Sequence, residues 1–395
     1  MAIALLVSPS LRAADTPSAT LEWDLRLRHE QVDDSGFARD ADATTARLRA
    51  GLRLVPAAGW TILLEGEGVA GGGTYNSGAN GKSAFPTVLD PTGAELNQAW
   101  IGWKNERGGI TLGRQRIALD NQRWVGNVGW RQNEQTFDAL ALSVKPVAGL
   151  TASYYWLDKV HRVAGDNARN PLARERNLDT HLLNLAWKHG SQQVAGYAYL
   201  HEDRDVASAS TATYGLRWTG SLGKGGQGFG WSAELARQVD YARNPANFAH
   251  DYWLLEPTWT QGKTTLRAGW EHLGGNGITA VQSPLATLHA FNGWDDQFGT
   301  TPVKGLDDRY LGAGGKFGSG KLDGKLSWAL AWHDYRSDVG GMHYGSEWNA
   351  SLGFPLPGGL GGLVKLADFR ADGFSRDNTK LWLQVEWRGS KAVAQ

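Results

Sequence analysis

The chain has 395 residues, enough for two or three soluble domains or for one large β-barrel. It contains 52 glycines and 19 tryptophans but no cysteine, which suits strands, turns and aromatic belts and excludes a disulfide framework or a thiolate metal site. The 40 basic and 40 acidic residues balance, which argues against a nucleic-acid partner. The mean hydropathy of -0.39 argues against a helical membrane protein, as does the lack of any apolar run near the roughly 20 residues that a spanning helix needs.

The first residues resemble the end of a secretory signal peptide, which we place at residues 1–14. A short apolar core from Ala2 to Val7 is followed by small residues, and cleavage is expected after Ala13 or Ala14. The positively charged segment that normally opens a signal is missing, and an ordinary N-terminal tail is the alternative. We expect the folded domain to occupy residues 21–389.

From residue 21 onward, apolar and polar residues alternate with a period of two. The pattern is clear in segments 21–28, 47–54 and 60–67, where charged residues occupy every second position opposite bulky apolar ones. A soluble sandwich core does not accommodate such charges, whereas a membrane barrel with an apolar outside and a polar lumen does. The alternation predicts that Leu25 and Leu52 face lipid.

The same pattern continues to the end of the chain and predicts about eighteen strands, an even number that is typical of bacterial outer-membrane barrels. The further segments are 95–105, 110–117, 136–146, 150–157, 180–189, 192–200, 211–222, 229–239, 252–260, 263–273, 306–317, 325–335, 346–354, 363–369 and 379–388. Short and long connections alternate between them, as expected when short turns face the periplasm and long loops face the outside. We predict an all-β protein, a closed antiparallel transmembrane β-barrel with both termini on the periplasmic side.

Several segments of this chain have long, distinctive sequences. They are LNQAWI at 96–101, GRQRI at 113–117, LDNQRWVGNVGWRQNEQTFD at 119–138, HAFNGWDDQF at 289–298 and GLDDRY at 305–310. These segments resemble the alginate export family of outer-membrane barrels, and the resemblance extends over residues 21–388. It implies an eighteen-stranded channel in the outer membrane of a Gram-negative bacterium, in the best-known members with an arginine-lined lumen that passes a polyuronate. It does not identify the substrate of this chain.

Arginines on the polar strand faces and in the loop after residue 117 are the candidate substrate-pathway residues. A guanidinium offers planar, paired donors to the carboxylate of an acidic sugar, and rings of such charges select anions. The alternative is that each arginine pairs with a lumenal acid such as Glu65 or Glu271. Two of them, Arg114 and Arg116, should share one lumenal face because they lie two residues apart on a predicted strand. The candidates are Arg26, Arg28, Arg47, Arg49, Arg53, Arg114, Arg116, Arg123, Arg131, Arg217 and Arg267.

The polar loop at 119–135 predicts a constriction folded into the barrel, with packing onto neighbouring outer loops as the alternative. Its amides and indoles suit hydrogen bonding to a sugar and stacking on it. The candidate constriction residues are Asp120, Asn121, Gln122, Trp124, Asn127, Trp130, Asn133 and Asp138. The second long loop, 274–305, contains Asp295 and Asp296. A calcium site would need clustered oxygens, but no calcium-loop pattern is present and solvated acids are expected instead.

The sequence predicts a passive outer-membrane channel for anionic saccharides such as an alginate-like polyuronate, without a cofactor, a metal or an enzymatic activity. The expected partners are outer-membrane lipid, the acidic oligo- or polysaccharide and a periplasmic export or uptake machinery, and the expected state is a monomer. A general diffusion porin for small hydrophilic solutes, or an uptake channel, is the alternative. A barrel enzyme is disfavoured because His333-Asp334 and His201-Glu202-Asp203 are lone local groups whose neighbours face opposite ways. A plugged structural or adhesion barrel is the third possibility.

Overall fold

The computed structural model describes residues 17–224, 226–319 and 324–394, so the expected signal peptide at 1–14 lies outside the described residues. Eighteen strands form one sheet. Their bounds are β1 Ser18–Asp34, β2 Ala41–Val55, β3 Trp60–Thr74, β4 Gly93–Asn105, β5 Gly108–Gln115, β6 Thr136–Val144, β7 Leu150–His161, β8 Glu175–His189, β9 Gln192–His201, β10 Thr211–Lys224, β11 Gln227–Asp240, β12 Ala249–Gln261, β13 Thr264–Leu273, β14 Leu306–Phe317, β15 Leu326–Arg336, β16 His343–Leu356, β17 Leu360–Ala371 and β18 Asn378–Ala394. One short helix, α1 Pro171–Arg174, precedes β8. Within the described ranges no helix has the length and apolarity needed to cross a membrane.

The sheet closes on itself through β1 and β18. Every strand pairs antiparallel with its neighbours along the chain, and β1 also pairs with β18 from Ala19 opposite Ala394 to Asp34 opposite Asn378. Closure provides partners for the main-chain groups of both terminal strands, which is what a sheet needs to cross hydrocarbon. The predicted closed barrel of about eighteen strands is confirmed. Because β18 ends at Ala394, the barrel extends beyond the expected boundary at residue 389.

The two faces of the wall differ as the alternation predicts. Leu25, Leu48 and Leu52 are exposed on the outer face, whereas Arg47 and Arg49 between them are buried inside the barrel. Registered pairing of β1, β2 and β3 aligns these positions on neighbouring strands, so an apolar band forms outside and a charged surface forms inside. The expected orientation of the first strands is confirmed.

Short turns alternate with longer loops from β1 to β14, as predicted, whereas the β14–β15 connection, 318–325, is longer than the β15–β16 connection, 337–342. Two long loops matter for the site: L3, residues 116–135, connects β5 to β6, and L7, residues 274–305, connects β13 to β14. Strand β5 is short and ends at Gln115, two residues before the predicted end of that strand. The chain therefore leaves the wall early at this point and enters the lumen.

Reversing the polarity of the outer face should destabilise the barrel. Leu48→Arg places a cation on the lipid face and should cost about 2–4 kcal/mol if the position lies near the bilayer midplane. Ser143→Arg, on the lumenal face of β6 opposite Gly109 and Ser153, leaves the new charge in water and should cost much less. Denaturant titration of the refolded protein in lipid vesicles compares the two variants. Equal destabilisation would mean that the assigned faces are wrong.

Candidate functional site: a lumen divided by two loops

L3 and L7 pair with each other inside the barrel. Val125 and Leu285 form a parallel bridge, and the main-chain N–H of Gly126 donates to the carbonyl of Leu285 at 2.9 Å. The side-chain amide of Gln135 donates to the carbonyls of Gly126 and Leu285, in each case at 2.9 Å. The two loops therefore form one layer across the lumen, called here the L3–L7 layer.

L3 spans the lumen from one wall to the opposite one. On one side Arg131 donates to Glu30 of β1 at 3.0 Å. On the other side the indole N–H of Trp124 donates to the Tyr197 hydroxyl of β9 at 2.8 Å and to Glu234 of β11 at 2.9 Å. Trp124 also joins a buried apolar cluster with side chains of the wall and of L7. Its ring is only 8% exposed, so Trp124 packs the loop and offers no face to a solute.

Trp130 is the other L3 tryptophan, and it stacks on a histidine of L7. Its ring lies 4.5 Å from that of His289 at an interplanar angle of 5°, and the Lys365 Nζ of β17 lies 4.1 Å from the Trp130 centroid. His289 Nδ1 lies 2.8 Å from Asp296 Oδ1 and its Nε2 lies 2.6 Å from Lys365 Nζ. The geometry fits a neutral imidazole that donates to Asp296 and accepts from Lys365. Burial lowers the pKa of His289 to about 3; Lys365 lowers it as well, whereas Asp296 opposes the shift.

Of the two acids of L7, Asp295 is buried whereas the Asp296 side chain is 25% exposed, so the expectation of solvated acids is wrong for Asp295. The main-chain N–H of Asp295 donates to Glu347 of β16 at 2.9 Å, and its carboxylate accepts from Asn378 at 2.8 Å. Burial raises the pKa of Asp295 to about 6. Burial would also raise the pKa of Asp296, but His289 and neighbouring cations hold it well below its usual value. L7 folds inward, where Asp295 anchors the loop to the wall and Asp296 binds His289 of L7 and Arg131 of L3.

A different group of possible metal ligands lies on the outer face. His272, Asp307 and Asp338 bring one ligand atom each within 4.8 Å of one another. The Asp307 carboxylate already accepts from the Trp270 indole at 2.9 Å and lies 3.1 Å from His272 Nδ1. Hydrogen bonding accounts for this arrangement without an ion.

Most of the predicted pathway arginines that face the lumen are neutralised by carboxylates. The pairs are Arg26–Glu386, Arg28–Asp90, Arg47–Asp24, Arg49–Glu67, Arg53–Glu22, Arg116–Glu65, Arg123–Glu271, Arg131–Glu30 and Arg217–Glu234. Several also donate to L3 carbonyls, as Arg28 does to Trp130 at 2.7 Å and Arg49 to Gln132 at 2.9 Å. The arginine-rich wall therefore holds L3 in place.

Arg114 faces the outside of the barrel, so the expectation of a lumenal role is wrong. It lies in register with Asp138 on β6, shares its face with the exposed Leu112 and donates to Asp138 at 2.8 Å. Because β5 ends at Gln115, Arg116 no longer follows the alternation and turns into the lumen. Asp138 likewise belongs to the outer face of β6 and not to the constriction.

The remaining L3 candidates hold the loop in place through contacts within L3, with L7 and with the wall. Their contacts are Asp120 with Asn184 at 2.8 Å, Asn121 with the main-chain N–H of Arg123 at 3.2 Å, Gln122 with Thr287 at 2.7 Å and Asn127 with Glu134 at 2.9 Å, while Asn133 is buried beside Gly165. Burial raises the pKa of Asp120. Burial would raise the pKa of Glu134 too, but Arg49 and Arg116 hold it below its usual value.

Cavities remain open in the lumen, and two of those beside the L3–L7 layer matter here. The first, about 420 Å³, reaches the short turns and is lined by Arg53, Trp100 and Arg116. The second, about 250 Å³, is lined by residues that include the cations Arg217 and Arg267, the acids Glu256 and Glu271, and Asn121, Trp294 and Tyr310. Trp100 was not among the residues predicted from sequence, although it lies inside the distinctive 96–101 segment.

Arg267 differs from the other lumenal arginines. It is exposed on the inner face of β13, in the second cavity, and within the described ranges it has neither an ion pair nor a hydrogen bond. Arg217 lines the same cavity but donates to Glu234 at 2.6 Å. The second cavity therefore contains a guanidinium whose charge is not neutralised by a contacting carboxylate.

Comparison with known proteins agrees with this architecture. The profile described as alginate export matches residues 25–270, so the segments at 289–298 and 305–310 lie beyond the matched region. No curated protein matches the chain. Among solved structures, Pseudomonas aeruginosa OpdK with vanillate is 15% identical with a TM-score of 0.72 over 94% of this chain and 99% of that one. Pseudomonas aeruginosa OccK5 (OpdH) is 14% identical with a TM-score of 0.74 over 95% and 98%. The TM-scores establish a shared fold, and at identities this low they establish the fold alone.

Acidification should loosen the L3–L7 layer. The pKa of His289 in the folded protein lies below its ordinary value of 6.5, so its contribution is complete above pH 6.5 and is lost as the pH falls toward 3. Asp295 acts in the opposite direction, because its raised pKa favours the protonated form. Open-channel current noise in planar bilayers should therefore rise between pH 6.5 and 4 if His289 dominates.

The variant His289→Asn isolates this contribution. It should be noisier than the wild type already at pH 7.5 and should change little on acidification. Wild-type noise that is independent of pH, or that the variant reproduces at every pH, would contradict the assignment.

Proposed function

Because this chain belongs to the alginate export family and its closed porin-type barrel makes it an outer-membrane channel, we propose that it passes short acidic saccharides by passive diffusion. The observation that carries the proposal is the unneutralised Arg267 in a lumenal cavity beside Arg217. A guanidinium with free donors suits a sugar carboxylate. Contact with a wet cavity wall also keeps such binding weak enough for release.

The L3–L7 layer supports short solutes over a long polymer. The layer crosses the middle of the lumen and is fixed to β1, β9, β11, β16 and β17. A polyuronate chain that threads through the lumen would have to displace these contacts and keep them displaced while the whole polymer passes. A mono- or disaccharide needs only local rearrangement, and the two cavities have the few-hundred-Å³ size of small-molecule sites.

Charge pairing limits the field of the lumen. An arginine in contact with a glutamate acts as a dipole, whose effect fades within the screening length of about 8 Å at physiological salt. The unpaired Arg267 keeps a net charge and attracts anions over a longer distance. We therefore propose a modest preference for anions in simple salt and a stronger discrimination where a carboxylate contacts the wall directly.

A general diffusion porin for small hydrophilic solutes is the second candidate function, and the extensive ion pairing of the lumen favours it. Diffusion through such a lumen follows the concentration gradient, so the same barrel serves uptake or export. The two candidates differ in whether the wall recognises a carboxylate.

Charge reversal at the unpaired arginine tests the proposal. Arg267→Glu should lower the anion-to-cation permeability ratio and weaken current block by digalacturonate, because the cavity then repels carboxylates. Reversal potentials in a KCl gradient and block titrations measure the two effects. The control is Arg243→Glu, an equal change of charge at an outer-loop position. If both variants keep wild-type selectivity and block, the protein is a general diffusion porin.

The size limit of the channel is a second expectation. In liposome-swelling assays, permeation of galacturonate oligomers should fall steeply beyond the disaccharide. Glu347→Ala removes the acceptor of the Trp294 and Asp295 N–H groups, which lie 2.6 and 2.9 Å from it, and should raise the rate for longer oligomers. Equal rates for short and long oligomers in the wild type would contradict a closed L3–L7 layer.

A further inference from the structure

The first cavity combines an aromatic ring with three cationic residues, Arg53 and Lys104 of the wall and Arg116 of L3. It lies against the inner faces of β2 to β7 and extends from L3 at Ile117 to the short turn at Gly59. Its volume of about 420 Å³ falls within the range of small-molecule sites. The lining that matters here consists of Trp100, Arg53 and Arg116.

Trp100 is a tryptophan on a wall strand whose ring faces an open part of the lumen. It shares the inner face of β4 with Gln98 and Gly102, whereas Ile101 and Trp103 between and beyond them face outward. By contrast, the inward Trp382 of β18 is fully buried beneath the L3–L7 layer. Trp100 is only half-buried, and it contributes to the surface of the cavity.

The surroundings of Trp100 fix its ring and leave space beside it. Its indole N–H donates to Gln98 at 3.3 Å, which satisfies the polar edge of the ring. The next inward position is Gly102, where a Cβ would lie 3.5 Å from the Trp100 ring and 3.1 Å from the Thr111 hydroxyl. A side chain at 102 would therefore fill the space next to the ring that glycine leaves free.

The two arginines beside this ring have donors to spare. Arg53 uses Nε and Nη2 on Glu22, and its guanidinium carbon lies 5.8 Å from the Trp100 centroid. Arg116 uses Nε on Glu134 and Nη2 on Glu65. Both side chains are about a third exposed, at 36% and 35%. In the described part of the chain, neither Nη1 has a hydrogen-bond partner.

From this geometry we infer that the first cavity is a saccharide-binding subsite in which the Trp100 ring stacks on the apolar face of a pyranose. The Nη1 groups of Arg53 and Arg116 then bind the carboxylate of a uronate-type sugar. A flat indole buries apolar area at little cost in conformational freedom, and charge-assisted hydrogen bonds orient the acid. The acidic part of this inference rests on the proposed function, whereas stacking on Trp100 does not.

The test measures block of single-channel current by digalacturonate and by the neutral disaccharide cellobiose. Trp100→Leu should weaken block by both sugars about tenfold, because both lose the ring. Trp100→Tyr should restore part of the block, since it keeps an aromatic face. The control is Trp259→Leu, which changes the same residue type at an exposed position on the outer face of β12, away from the first cavity, and should leave the block as in the wild type.

The outcomes separate this inference from the proposed function. If Trp100→Leu folds, as judged by heat-modifiable gel mobility, and still binds both sugars like the wild type, the subsite is overturned, even where Arg267→Glu alters selectivity. Lack of block by both sugars in the wild type overturns it too. If both sugars block equally and both depend on Trp100, the stacking subsite stands and the acidic preference falls. Preferential block by digalacturonate that Arg53→Gln and Arg116→Gln each reduce supports the complete site.

Discussion

A strand that crosses hydrocarbon needs a partner for each main-chain N–H and C=O, and the pairing of β1 with β18 completes this requirement for the whole sheet. The pairing runs from Ala19 opposite Ala394 to Asp34 opposite Asn378 without leaving a free edge in the wall. An unpaired peptide group in lipid costs several kcal/mol, so an open sheet of this kind would not persist in the bilayer. Closure gives the wall an apolar face and an enclosed polar face, and the charged lumen follows from that division.

Charges inside a lumen that two loops partly fill are no longer surface charges. Arg28 and Arg47 are fully buried, and burial of an unpaired guanidinium is costly, which explains why carboxylates accompany nearly all lumenal arginines. The same arginines donate to carbonyls of L3, as Arg26 does to Trp130 at 3.0 Å. An arginine-rich lumen therefore has a structural role here, and what remains to attract a solute is the unpaired Arg267 and the Nη1 donors that Arg53 and Arg116 do not use in their ion pairs. This also reconciles the balanced net charge with a channel that contains many lumenal arginines.

The periodic features of this fold were predictable, whereas features that depend on where the chain leaves the wall were not. Alternation identified the faces of β1 to β3 because those strands are long and regular. The exposed Ile110 and Leu112 share a face with Arg114, so the alternation itself places Arg114 outside, and the lumenal prediction for it rested on its charge. Arg116 departs from the alternation because β5 ends at Gln115, and nothing local in the sequence marks that exit. Trp124 and Trp130 were singled out as residues that stack on a solute, but they instead contact Tyr197 and His289, which are far away in sequence. The inward direction of Trp100 can be predicted from the two-residue period of β4 only when the register shift near residue 97 is known.

The residues proposed to bind a solute lie mainly on the wall, whereas the L3–L7 layer obstructs the lumen, and these two parts of the barrel differ in rigidity. Trp100 and Arg53 lie on strands that are hydrogen-bonded to a neighbour on each side, so their geometry is as rigid as the wall. The L3–L7 layer depends largely on side-chain contacts such as those of His289, Lys365 and Glu347, which change with protonation or substitution. The layer can therefore shift and alter the passage without disturbing the wall residues. Arg116 lies at the junction: it belongs to L3 but pairs with Glu65 of β3, so movement of the loop would reach the subsite through this residue first.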